Sequence, residues 1–116
     1  MCGIFGFVGR PNKRIIRDIA RVTETRGPHA FGFAWISVEG RLHHYRQHGR
    51  ITSNLGLLSM LGDAVAAVGH CRYTTRGSER DNINNHPHPC DSGWLVHNGT
   101  VFNADEIARE WGLFPT

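Results

Sequence analysis

Residues 1–9 read MCGIFGFVG. Ile4, Gly6 and Val8 alternate with Phe5 and Phe7, the period of a β-strand that can be covered on both faces. One residue from the start, where a terminus would normally fray, stands Cys2. A free thiol has a pKa of about 8.5 and is poorly ionised at neutral pH, so nucleophilic cysteines are paired with a base. If Met1 is removed, Cys2 carries its own: an α-amine with a pKa of roughly 7.7–8.0. Methionine removal favours a small second residue, and cysteine qualifies. Gly3 would let a substrate come close to the backbone. The plainer alternative is a small apolar residue at a strand start.

The rest of the pattern builds outward from that strand. Pro11 suits a helix start, and Ile15, Ile16, Ile19, Ala20 and Val22 predict an amphipathic helix over 12–25, ended by Gly27 and Pro28. FGFAWISV (31–38) reads as a second strand, with RLHHYRQ (41–47) its hairpin partner across Glu39-Gly40. NLGLLSML (54–61) suits a short helix and AVAAVGH (64–70) a buried strand. A polar loop spans 74–92, GWLVHN (93–98) is a further strand, and Asn103 with Glu106 resembles a capping box before a helix over 104–111 that ends at Gly112. Hairpins rather than regular strand–helix alternation argue for a layered α+β domain over residues 1–116.

Composition narrows the function classes. The chain has 116 residues, 40% of them hydrophobic and 20% charged, as in an ordinary globular domain. Its +3 charge comes from 13 Lys+Arg against 10 Asp+Glu, scattered with no basic run, which argues against a nucleic-acid partner. No apolar stretch has the length of a membrane span, and the start lacks the pattern of a secretory signal. Three widely spaced cysteines, Cys2, Cys71 and Cys90, do not form a disulfide framework. A reducing, cytoplasmic location is the expectation.

Two more stretches carry chemistry. VGHCRYTTRG (68–77) puts Arg72 at the end of a buried strand with Thr74 and Thr75 following, a fork and hydroxyls suited to a carboxylate. A surface ion pair is the bland alternative. VHNGTVFN (96–103) puts Asn98 beside Gly99; an amide side chain next to a free backbone N–H can form an oxyanion hole, and Asn-Gly is also a common turn.

Taken in order, MCGIFGFVG, RGPHAFGFAW, GHCRYTTRG, NNHPHP and VHNGTVFN resemble the class II glutamine amidotransferases, N-terminal-nucleophile hydrolases, from residue 2 to about residue 103. The resemblance implies an αββα-layered fold, of which this chain supplies the first half to two-thirds. It also implies hydrolysis of the glutamine side-chain amide through a Cys2 thioester. By this resemblance Cys2 is the nucleophile, Asn98 and Gly99 form the oxyanion hole, and Arg72 holds the glutamine α-carboxylate. Thr75 lies in the substrate loop, His86 and His88 match the family's HPH segment, and Gly27, Gly32 and Arg26 belong to a loop near the nucleophile. L-glutamine is the implied substrate, a synthase domain or subunit the implied recipient of ammonia, and neither cofactor nor metal is required.

The family's acidic residue for the substrate's α-amino group lies past its last matching helix, and the sequence does not assign that role to Asp81, Asp91 or Asp105. His29 stands where many relatives have an acid, and Arg76 where several have histidine. Two rival readings remain: an inactive binding module of the same fold, and a zinc module built on Cys71, His86, His88, Cys90 and His97.

Overall fold

The computed structural model describes residues 1–113. It is an α+β domain built on one antiparallel sheet of four strands: β1 (Gly3–Val8), β2 (Ala30–Ser37), β3 (Leu42–His48) and β4 (Ala64–Arg72), in the order β1-β4-β2-β3. The β1 strand pairs along its whole length with β4, from Gly3 opposite Cys71 to Val8 opposite Ala66. This pairing ties the terminus into the sheet, one residue after Cys2.

The sheet has two unlike faces. On one, Phe5, Phe31, Phe33, Trp35, Ala67 and Cys71 form the core with Ile16 and Ala20 of α1 (Lys13–Glu24). Ile51, Leu58 and Leu61 of a 3-10 segment, Ile51–Asp63, close it. Each large apolar side chain buried here contributes about 1.5–3 kcal/mol. The opposite face carries Ile4, Val8, Ile36 and Leu42, all substantially exposed. The alternation in MCGIFGFVG therefore marks one covered face, Phe5 and Phe7, and one open face.

Several boundaries differ from the sequence reading, each for a local reason. The α1 helix starts at Lys13 because Asn12 caps it, its side chain accepting the N–H of Ile15 at 3.0 Å. It ends at Glu24, before Gly27 and Pro28. Gly27 serves packing instead: a Cβ there would run into the backbone of Arg72 and Tyr73. Ile15 and Val22 lie outside the buried stripe. The expected helix over 54–61 is a longer 3-10 run, interrupted at Asn54 (φ −137°, ψ 29°). The Asn54 side chain donates to the carbonyl of Arg50 at 2.8 Å, a local bond that competes with α-helical pairing.

The polar loop 74–92 is partly ordered. Asp81 caps a 3-10 turn, Asn82–Asn84, and β5 (His88–Cys90) pairs with β6 (Gly93–Leu95). The expected strand 93–98 stops at Leu95 because the backbone of His97 is bonded to histidine side chains instead. The expected capping box does not form: Asn103 makes no side-chain cap bond to α2 (Ala104–Glu110), which buries no residue. Among the described residues no helix is long and apolar enough to cross a membrane.

Candidate active site

Where β1 begins and β4 ends, the open face of the sheet holds a cleft of about 300 Å3. Cys2, Arg72, Thr75, His86 and Gly99 all line it. The sequence singled out these five from four separate stretches, and the fold brings them to one place.

Cys2 is half-buried. Its Sγ accepts the N–H of Tyr73 at 3.3 Å and lies 3.6 Å from the carbonyl oxygen of the same residue. The sulfur is thus held against the backbone just beyond β4, where one amide dipole faces it. Arg26 stands behind it, outside the cleft lining, and donates from Nε to the carbonyl of Cys2 at 3.0 Å. Met1 precedes Cys2 here, so the nitrogen of Cys2 is a peptide amide.

Arg72 is buried. Its Nη1 donates to Asn85 Oδ1 at 2.9 Å, and its Nη2 donates to the carbonyls of Arg76 and Gly77. Asn85 is fully buried and donates in turn to the carbonyl of Glu79 and to Asn82 Oδ1. The guanidinium is therefore the hub that folds loop 74–85 over the cleft. Asn85 sits in the NNHPHP motif, yet the sequence offers no sign that it anchors Arg72, because the contact crosses 13 residues of irregular chain.

Two stacked histidines shape the opposite wall. His70 on β4 and His86 lie parallel, with ring centroids 3.8 Å apart. His70 Nε2 donates to the carbonyl of His97 at 3.0 Å, and the N–H of His97 donates to His86 Nδ1 at 3.2 Å. Both backbone groups of His97 are thus fixed, and Asn98-Gly99 follows directly. Burial holds both rings neutral, pushing His70 down to about 4, against the opposing pull of its bond to the His97 carbonyl, and His86 to about 3, with Arg72 nearby adding to the effect on both. His70 Nδ1 is buried with no hydrogen-bond partner. His70 and His97 escaped the sequence reading as positioning groups, since only the fold brings them together.

The remaining candidates lie around this frame. Gly32 sits beneath His86, where a Cβ would run into the His86 carbonyl oxygen, so it supports the wall without lining the cleft. Asn98 is half-buried and is not part of the lining, whereas Gly99 is. Thr74 donates its N–H to His29 Nδ1 at 2.8 Å, and the His29 ring packs at a tilt against Tyr73, so His29 braces the loop next to Cys2.

The zinc constellation is not assembled. Cys71 belongs to the core on the far face of the sheet from His86, and Cys90 is exposed. Burial pushes the Cys71 thiol up to about 12, far from thiolate chemistry. Among the described residues no group of three His, Cys, Asp or Glu side chains is placed to hold a metal ion. Cationic Arg72 and Arg76 line the cleft with no Asp or Glu, an electrostatic balance that suits a carboxylate.

No protein-family model matches the chain. Among curated proteins it is similar to the glutamine–fructose-6-phosphate aminotransferases (isomerizing). The one from Bacillus licheniformis is 34% identical over 114 residues, covering 96% of this chain and 19% of the relative. That of Bacillus subtilis is 33% identical over 114 residues, with the same coverage. That of Chlamydia trachomatis serovar D is 35% identical over 114 residues, covering 95% of this chain and 18% of the relative. The chain thus spans about a fifth of the length of these relatives. Over the segment it shares with them, the chain belongs to the class II glutamine amidotransferase family.

Proposed function

We propose that this chain is the glutaminase portion of an amidotransferase, converting L-glutamine and water to glutamate and ammonia. One observation carries the reading: Cys2 lines a cleft whose walls also hold Arg72, Thr75 and Gly99. After loss of Met1, the α-amine of Cys2 takes the thiol proton, directly or through a water. The thiolate attacks the carboxamide carbon, and the N–H of Gly99, joined by the Asn98 amide once it turns into the cleft, stabilises the oxyanion, at about 3–4 kcal/mol per donor. The protonated amine returns its proton to the departing nitrogen, ammonia leaves, and water hydrolyses the thioester to glutamate.

Arg72 holds the substrate carboxylate once the carbonyls of Arg76 and Gly77 give way, so loop 74–85 shifts as glutamine binds. The αββα arrangement is completed when a second sheet covers the open face bearing Ile4 and Leu42. The names of the relatives specify fructose 6-phosphate as acceptor in those proteins. Here a synthase domain or subunit receives the ammonia, and neither nucleic acid nor membrane takes part. The cytoplasm suits a nucleophile that works as a free thiol.

Ammonia release from glutamine, followed together with intact mass, tests the mechanism. Active protein lacks Met1, and Cys2→Ala abolishes release while leaving the circular dichroism unchanged. Turnover by protein that retains Met1, or by Cys2→Ala, overturns it. The loop carbonyls already filling the Arg72 fork favour one second reading, an inactive module that binds a partner; processed protein that neither binds glutamine nor releases ammonia selects it.

A further inference from the structure

At the far end of β1 from Cys2, and on the helix side of the sheet, lies a separate cavity of about 310 Å3. Six strand residues span about 20 Å, so the two sites do not overlap. The floor is apolar: Ile16 of α1, with Leu55, Leu58 and Leu61 of the 3-10 segment. The mouth is cationic. Arg10, Lys13 and Arg17 border it, and no Asp or Glu does. Among the described residues none of the three forms an ion pair.

The N-terminus of α1 opens at the same mouth. A helix start carries partial positive charge and normally attracts Asp or Glu, yet the first turn of α1 contains neither. Asn12 satisfies the N–H of Ile15, and the first N–H groups of the helix point outward. Cationic side chains and helix dipole thus add up at one rim, above a floor of leucine and isoleucine, and among the described residues no Asp or Glu lines the cavity to offset them. Like charges gathered at a helix start oppose folding, whereas a bound anion would reverse that cost. The volume falls at the lower end of the range for small-molecule sites, too small for a large cofactor.

We infer that this cavity binds a small amphipathic anion, an aliphatic carboxylate whose chain lies among Ile16, Leu58 and Leu61 and whose head meets Lys13, Arg17 and the start of α1. Recognition needs both halves. The apolar chain supplies burial, and the carboxylate neutralises the rim.

Titration of the chain with octanoate, octan-1-ol and acetate, read by backbone and methyl NMR, tests it. Octanoate gives saturable shifts confined to residues of α1 and the 3-10 segment, octanol binds more weakly there, and acetate does not saturate. In Lys13→Glu/Arg17→Glu, which alters only exposed side chains, octanoate affinity falls about tenfold, equivalent to about 1.4 kcal/mol, while octanol affinity is unchanged. Leu58→Trp fills the floor and removes both. The inference is overturned if octanoate binds no better than octanol, if the charge reversal leaves octanoate affinity intact, or if the shifts map to the open face of the sheet. None of these readouts depends on glutamine turnover.

Discussion

At the scale of single residues, burial keeps two histidines of the site, His70 and His86, neutral. His86 Nδ1 accepts the N–H of His97, so the ring must stay unprotonated for Asn98-Gly99 to be held. Its folded pKa lies near 3 and that of His70 near 4, both below the ordinary 6.5. Between those values the unfolded chain binds protons that the folded chain refuses, so stability rises with pH across this window. It is fully present above 6.5 and is lost as pH falls toward 4. Urea midpoints at pH 7.5 and pH 5 should show this loss, and His86→Gln should flatten the slope. Asn98→Ala should lower kcat by about 10²–10³ with little change in KM, as for removal of one oxyanion donor, measured by ammonia release. Cys2, Arg72 and Gly99 were legible in the sequence because each sits in a short stretch with its own chemical logic. The His70–His86 stack was not, since its members lie 16 residues apart and meet only after β4 and the following loop have folded.

At the scale of elements, α1 is fastened to the 3-10 segment by a polar clasp as well as by the core. Glu24 is largely buried and accepts both the N–H and the hydroxyl of Thr52, with Arg50 3.7 Å from its other oxygen. Glu24→Ala leaves the Thr52 N–H without its acceptor and should cost about 1–3 kcal/mol, read from urea unfolding. Strand and helix positions were readable wherever apolar residues kept a clean period, as in 31–38 and 64–70. The 3-10 segment was not, because Leu55, Leu57, Leu58 and Leu61 satisfy an α-helical stripe equally well. The side-chain bonds of Asn54 decide against it. The Asn103 cap failed for a related reason: α2 buries nothing, so no packing holds its first turn in capping geometry.

For the whole molecule, the asymmetry of the sheet dominates. Phe33 is fully buried under α1 and the 3-10 segment, and Phe33→Ala should cost about 3–5 kcal/mol by calorimetry or chemical unfolding. Across the sheet, Val8, Ile36 and Leu42 share one cross-strand row and face outward, with Ile4 exposed further along β1. Sedimentation should show self-association of the chain at micromolar concentration, relieved by Ile36→Lys/Leu42→Glu. Alternating Phe and Ile in the sequence announced two apolar faces but gave no way to tell which one a neighbouring element would cover. The three thiols also divide by environment: Cys71 sealed in the core, Cys2 half-sheltered and Cys90 in the open. An alkylating reagent will therefore modify Cys90 and Cys2 and spare Cys71. A Cys90→Ser protein would then carry a single addressable thiol, Cys2, at the edge of the cleft, a ready handle for a covalent probe or a warhead.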